Sequence, residues 1–448
     1  MSSVHSRSSE DPQAGRVVAI FPWGNCIEDF LDGIGISLDK FCDEMTGGWL
    51  FGYVSALQSV RLVPVLYCYS RAIDAPEQRV HLPSGCAIRL VPLPRLYRLL
   101  TRGMINPYAW RARDAFHGRS RLYDPIAEFA FQLSPYFAIA RSNLTRSLRA
   151  DGCAAVLVQE YEDPRFDRIV GIGQRARIPV FATFQGGDRH FRYLEDYTRP
   201  KAIAQSAGLI IASATEAERV KERYRPCCPI VDIPNPIDLS IWFREPRDEA
   251  RRVLGWNRGE RVAIYHGRID IHRKGLDVLL SAWNRVRVSM PEAPVRLVVI
   301  GDGPDRDKFR ELVGRVDAAT LTWIPNYILD RPTMRRMLSA ADVGVTASRH
   351  EGFAVAPLEA MACGLPIVAT DAPGIPEILR GGRKVGGILC SRNDITALAL
   401  GLAELLSDSG KAEEYGHLAR LSVEKRFGLR QVGRRLAELI GKSRRSPS

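Results

Sequence analysis

The sequence predicts an α/β protein made of two parallel sheets, each wrapped by helices, that face one another across a cleft. Three observations carry this. Short apolar runs recur along the chain and alternate with helix-length segments, the pattern of parallel strands joined by crossover helices. The alternation breaks once, around Pro234-Asn235-Pro236-Ile237-Asp238, and then resumes. A chain of 448 residues also exceeds what one hydrophobic core ordinarily serves.

Taken in order, residues 1–15 are polar and read as a disordered tail. The run Arg16-Val17-Val18-Ala19-Ile20-Phe21 is the first buried strand. Strand-like runs follow at 63–67, 154–158, 179–184 and 208–212, with helical segments at 50–59 and 165–176 among them. The stretch 92–145 is longer than an ordinary crossover and rich in arginine and aromatic residues. A charged segment, 244–261, follows the proline-rich break, so the linker is expected near 237–245. A second series then has strands at 262–265, 295–300, 321–324, 343–347 and 366–369. Its helices fall at 275–288, 306–313 and 333–340, with further helices at 395–406 and 412–440. The expected division is a first domain over 16–236, a second over 237–425, and a C-terminal helix within 426–448 that packs back on the first domain before a tail.

Composition narrows the function classes. The hydrophobic fraction of 46% and charged fraction of 25% are those of a globular protein. No apolar run approaches a membrane span, and the polar N-terminus lacks a signal core. Nine cysteines without C-x-x-C spacing, two of them adjacent at Cys227-Cys228, suit neither a disulfide framework nor a zinc site. The expectation is a reduced, cytoplasmic protein. The net charge of +12 is concentrated at 89–121, which carries eight arginines and a single acid, Asp114. That stretch is either a solvated surface or a patch for an anionic membrane surface or acceptor. No nucleic-acid motif accompanies it.

The segment Glu351-Gly352-Phe353-Ala354-Val355-Ala356-Pro357-Leu358-Glu359 carries the most chemistry. Two carboxylates offer acceptors for sugar hydroxyls, and a helix start between them offers backbone N–H groups to an anion. Arg268 and Lys274 follow a strand that ends at Gly267; an arginine fork and a lysine point charge there would neutralise a diphosphate. Gly301-Asp302-Gly303-Pro304 ends another strand at the same sheet edge, where ligands bind. Two patterns are set aside. Gly171-Ile172-Gly173 lies inside a helical segment, the wrong order for a dinucleotide fingerprint. Asp305-Arg306-Asp307 opens a helix, where acids complement the dipole rather than hold a metal.

These ordered pieces, with Asn235-Pro236-Ile237-Asp238, Ala341-Asp342-Val343, Ala360-Met361-Ala362-Cys363-Gly364-Leu365-Pro366 and Gly374-Ile375-Pro376-Glu377-Ile378, resemble a family-4 retaining glycosyltransferase of the GT-B fold, two Rossmann-like domains facing across a cleft. The resemblance is dense from about residue 209 to 405 and looser before it. It implies that Glu351, with the backbone of Phe353 and Ala354, holds the donor sugar, and that Glu359 takes the ribose hydroxyls. Arg268 and Lys274 would stabilise the diphosphate, helped by Val355 and Ala356 at the helix start and by the turns at Gly267 and Gly301. Gly47-Gly48 matches the family's glycine loop in the first domain, with Gly24 as a rival, because residues 23–46 and their six acids intervene. Gln185 stands where many relatives have a histidine, and Ala354 where glycine is common.

The expected activity is transfer of a sugar, with retention, from a UDP-, GDP- or ADP-sugar to a hydroxyl acceptor, without a metal or cofactor and with no protein nucleophile. A lipid-linked or envelope acceptor is one expectation. The competing reading is a non-catalytic sugar-nucleotide or anionic-surface binding protein of the same fold.

Overall fold

The computed structural model describes residues 14–46, 48–107, 109, 111–116, 125–186 and 194–443. The first sheet contains β1 (Val17–Phe21), β2 (Val63–Ser70), β3 (Glu77–His81), β4 (Cys86–Pro92), β5 (Cys153–Val158), β6 (Val180–Thr183), β7 (Gly208–Ile210) and β8 (Ile230–Val231). Its order is β3-β4-β2-β1-β5-β6-β7-β8, and only the β3–β4 pair is antiparallel. The second contains β9 (Arg261–His266), β10 (Val295–Ile300), β11 (Leu321–Ile324), β12 (Val343–Thr346), β13 (Ile367–Thr370) and β14 (Gly387–Cys390). Its order is β11-β10-β9-β12-β13-β14, parallel throughout. The chain is GT-B in fold.

The central strands are almost unbroken apolar runs because helices cover both faces of each sheet. β5 is buried along its whole length, as is β12. Strand order reverses at β1/β5 in one sheet and at β9/β12 in the other. Crevices for ligands open at the carboxyl ends of such strands.

Four strands escaped the sequence reading. β3 and β4 form a hairpin whose β3 face is charged and half exposed, so it lacks the apolar signal of a buried strand. β8 has two residues and β14 has four. The helix expected over 412–440 is two helices, Ser409–Arg426 and Leu429–Lys442. They part at Gly428, whose backbone is extended. Beside it the Ile237 N–H donates to the Phe427 carbonyl at 2.8 Å, which ties the junction to the segment leaving the first sheet.

The helix Leu429–Lys442 places Val432, Leu436 and Ile440 in the hydrophobic core below the first sheet. It meets the helix Gly48–Gln58 so closely that a Cβ on Gly433 would stand 2.2 Å from the Ala56 carbonyl oxygen. The C-terminus of the chain therefore braces the helix whose first residue faces the cleft. Within the second domain, buried Asp342 accepts from Arg251 at 2.7 Å, from Arg247 at 2.8 Å and from the Val262 N–H at 2.7 Å. This fixes the helix Arg247–Leu254 against the start of β9.

Overpacking at the helix contact gives a test. Gly433→Ala should cost about 1–3 kcal/mol of stability, read as a lower urea midpoint. An unchanged midpoint would contradict the close approach.

Candidate functional site

The cleft between the sheets has a volume of about 1230 Å³ and is lined from both domains. Its second-domain wall is built at the carboxyl ends of β9 and β10. Gly267 follows β9 and Gly301 follows β10. Their backbones are in contact: a Cβ on Gly301, at φ 143°, would lie 1.9 Å from the Gly267 oxygen. Gly303 comes as close to Ile269, with its missing Cβ 2.4 Å from that carbonyl oxygen. Only glycine permits these approaches. Hydrogen bonds from the Gly267 N–H to Ile300 and from the Ile269 N–H to Asp302, both 3.0 Å, hold the two turns side by side.

Arg268 lies at the apex of this wall. It is exposed to the cleft, and among the described residues its guanidinium makes no ion pair or hydrogen bond. Glu359 is buried on the facing helix Ala356–Ala362, and His266 Nε2 lies 3.0 Å from its Oε2. That helix begins at Val355 with no side-chain cap, and both Val355 and Ala356 line the cleft.

Lys274 and Glu351 form a pair of their own. Lys274 Nζ donates to Glu351 Oε1 at 2.6 Å, and Ser348 Oγ donates to the same oxygen at 2.6 Å. Burial pushes the Glu351 carboxyl up. The Lys274 charge and hydrogen bond, with Ser348 and Arg273, outweigh this and hold it below the ordinary glutamate range. Lys274, Glu351, Phe353, Ala354 and Gln185 are not among the described residues that line the cleft, whereas Gly48, Gly267, Arg268, Gly301, Val355, Ala356 and Glu359 are.

The reason is a seam between the domains. A Cβ on Gly352 would fall 2.2 Å from the Gly186 nitrogen, so the two backbones touch. Arg273 donates to the Gly186 carbonyl across the same seam. The Gln185 amide exchanges hydrogen bonds with Asn235 at 2.9 and 3.1 Å, and Asn235 donates to the Phe353 carbonyl at 3.0 Å. Farther along, Arg331 donates to the Thr46 carbonyl, and the Ala214 N–H donates to Glu377 at 2.7 Å. Gly47 lies outside the described residues. Gly48, at φ 62°, opens the helix Gly48–Gln58.

His266, Arg331 and Asn235 had no assigned role in the sequence reading. His266 was legible only as the residue before Gly267. Arg331 gave no cue, since its partner Thr46 is distant in the chain. Asp305 and Asp307 are occupied elsewhere: Asp305 accepts from the Ile271 N–H at 2.9 Å and Asp307 pairs with Arg310 at 2.7 Å. The pattern at 171–173 lies inside the helix Pro164–Ala176.

The arginine-rich stretch is less uniform than its sequence. Arg89 lies on β4 and pairs with Asp151 at 2.8 Å, and Arg98 pairs with Asp74 at 3.0 Å. Arg95, Arg102, Arg111 and Arg113 remain exposed. Arg119 and Arg121 lie outside the described residues. Among the described residues no helix is long and apolar enough to cross a membrane.

Residues 260–408 match the family of glycosyl transferases group 1. The chain is 32% identical over 244 residues to D-inositol 3-phosphate glycosyltransferase of Thermobispora bispora, covering 52% of this chain and 55% of that protein. It is 29% identical over 215 residues to the lipopolysaccharide core biosynthesis mannosyltransferase LpsB of Rhizobium meliloti, covering 46% and 60%. The matches thus span between about half and three fifths of these relatives. Over the whole fold it is similar to the sucrose-phosphate synthase of Thermosynechococcus elongatus, with a TM-score of 0.67 at 18% identity, covering 95% and 98% of the two chains. The UDP-glucose complex of Anabaena HepE gives a TM-score of 0.65 at 15% identity, covering 95% and 99%.

The Lys274–Glu351 pair makes a separable prediction. Lys274→Met strands a buried carboxylate and should cost about 3–5 kcal/mol of stability near neutral pH. The Glu351 carboxyl is depressed in the folded wild type, so its contribution is present above the ordinary glutamate range and is lost as pH falls through the folded value. The gap between variant and wild type should therefore narrow on acidification, as the stranded carboxylate takes up a proton. Denaturant titrations at neutral and mildly acid pH measure it; a gap that does not narrow would contradict the pairing.

Proposed function

We propose, because residues 260–408 match the family of glycosyl transferases group 1, that the chain transfers a sugar from a nucleoside-diphosphate sugar to a hydroxyl acceptor, with retention at the anomeric carbon. The observation that carries this reading is Arg268, an exposed guanidinium unpaired among the described residues, on a glycine wall of the cleft. It faces a cleft that the buried carboxylate of Glu359 also lines. A diphosphate takes the first and a ribose diol the second.

In this reading the nucleotide lies along the second-domain wall. The diphosphate rests between Arg268 and the N–H groups of Val355 and Ala356, beside the Gly267 and Gly301 turns. The sugar is directed toward Glu351 and the backbone of Phe353 and Ala354. For that part of the site to be filled, the Gly186–Gly352 seam has to part, and Gln185 moves with it. The segment 237–245 is the hinge. Lys274 then serves the leaving phosphate while its charge remains balanced by Glu351. The acceptor hydroxyl approaches from the first-domain end, past Gly48 and Gly47, and the departing phosphate oxygen takes its proton. Leaving-group charge is met by fixed cations, so most of the rate comes from preorganised electrostatics rather than from a metal or a protein nucleophile. The UDP and UDP-glucose complexes of HepE support a donor of that kind, with GDP- and ADP-sugars as alternatives. The relatives support an acceptor in polysaccharide or glycolipid synthesis.

A second feature favours a membrane-associated acceptor. Within 89–121, exposed Leu96, Leu99 and Ile105 stand with exposed Arg95, Arg102, Arg111 and Arg113, and exposed Ile126 and Phe129 lie on the helix Pro125–Leu133. Apolar side chains interleaved with arginines suit an anionic bilayer surface.

Two measurements test these readings. A donor screen by nucleotide release should find one turned-over sugar nucleotide, with activity that persists in a chelator. Arg268→Ala should raise its barrier by about 2–4 kcal/mol; near-normal turnover in that variant removes the assignment. The full chain should bind anionic but not neutral vesicles, and salt should release it; no binding at low salt ends the membrane reading.

A further inference from the structure

The segment 23–46 adds six acids between β1 and the helix Gly48–Gln58, and the structure gives it a place. It folds into two short helices, Ile27–Asp32 and Leu38–Asp43. Trp23, Asp29, Phe30 and Asp32 line the first-domain end of the cleft, opposite the Arg268 wall. The segment is anchored from beneath by Glu28, a buried carboxylate that Ser70 Oγ, the Arg71 N–H at 3.1 Å and Cys26 Sγ at 2.6 Å all address. Every partner of Glu28 turns it into the fold, so its neighbour Asp29 is presented to the cleft.

Asp29 has a side-chain exposure of 5%, and its Oδ1 accepts from Arg71 at 2.9 Å. Its Oδ2 takes no hydrogen bond among the described residues, and Asp29 lines the cavity. Burial, and after it the neighbouring acids, push the carboxyl up to about 7 against the pull of Arg71, so the group is costly to keep charged without a further donor. Beside it the rings of Trp23 and Phe30 meet edge to face, with centroids 6.4 Å apart. The balance at this end is negative, since Arg71 pairs with both Asp29 and Asp32, the latter at 3.1 Å, and Arg98, which also lines the cleft, is already paired with Asp74. An anionic ligand would meet two carboxylates for one shared guanidinium. A neutral ring with apolar C–H faces and hydroxyl edges would cover Trp23 and Phe30 and give Asp29 the donor it lacks.

We propose that the segment 23–46 forms the acceptor subsite of this chain and selects a neutral sugar ring, with Trp23 and Phe30 against its face and Asp29 Oδ2 accepting from one of its hydroxyls. Arg71 is the positioning residue for Asp29. The name acceptor rests on the transfer reading above; the binding of a neutral sugar does not.

The test is saturation-transfer NMR on the full chain without any nucleotide. The probes are the methyl α-glycosides of glucose, galactose and mannose, with glucose 6-phosphate as the anionic arm. At least one methyl hexoside should bind, and Asp29→Asn and Phe30→Ala should each weaken it about tenfold or more with unchanged melting. Trp23→Ala replaces Phe30→Ala if that variant fails to fold. Three results overturn the proposal: no methyl hexoside binds, the variants bind as the wild type does, or glucose 6-phosphate binds about tenfold more tightly than any neutral probe. Nucleotide release is measured separately, so failure of transfer leaves the binding result standing. In a working transferase, the same variants should raise the acceptor KM while leaving the donor KM unchanged.

Discussion

Gly301 has no Cβ because a Cβ would lie 1.9 Å from the Gly267 oxygen, and the second-domain wall of the cleft depends on that contact. It lets the loops after β9 and β10 lie backbone on backbone, with Gly303 and Ile269 repeating the contact one step outward. A wall made this way presents peptide groups and one long cation instead of a hedge of side chains. Its rigidity comes from strand-end hydrogen bonds, such as Gly301 N–H to the Ile324 carbonyl at 3.0 Å. Arg268 therefore reaches the cleft from a fixed base, and positional precision of that kind is what electrostatic stabilisation requires.

The charges around this wall fall into two classes. Glu351, Asp342 and Arg251 are buried and matched, Glu351 by half-buried Lys274, and removal of one partner strands the other. Arg268 and Asp29 are different. Each faces the cleft with hydrogen-bonding capacity that the described protein does not fill. The first is a cation at the second-domain side, and the second a carboxylate at the first-domain side. A diphosphate on the first and, from a separate molecule, a hydroxylated ring on the second would complement that polarity. The seam at Gly186 and Gly352 separates the cleft from the Lys274–Glu351 pair, so with the seam closed a ligand in the cleft meets Arg268 and Glu359 and not that pair.

Much of the fold was legible in the sequence, for a physical reason. Strands buried on both faces must be apolar throughout, and they stand out against amphipathic helices; all ten expected strands are found, with ends shifted by three residues or fewer. β3, with one charged face, and the two-residue β8 carry no such pattern. Gly428 breaks the last helical stretch through an extended backbone that a hydrogen bond to Ile237 stabilises, and helical periodicity alone does not register a contact of that range. In the site, residues at strand ends followed by glycine were legible because close backbone approach demands that composition. Arg331 and Asn235 were not, because their roles come from partners far away in the chain.

By itself the sequence determined two parallel sheets and the positions of Arg268, Lys274, Glu351 and Glu359 at the edge of the second. Apolar runs and glycine turns are local, and local chemistry fixes them. The tertiary structure decided which of those residues share a cavity. It paired Lys274 with buried Glu351, left Arg268 open, turned Gln185 toward Asn235, and placed residues 23–46 at the far end of the cleft. Those outcomes depend on how the two sheets meet, and on the helix Leu429–Lys442 that returns to the first of them. Contacts between residues remote in the chain follow from the packing of whole elements, which no local pattern encodes.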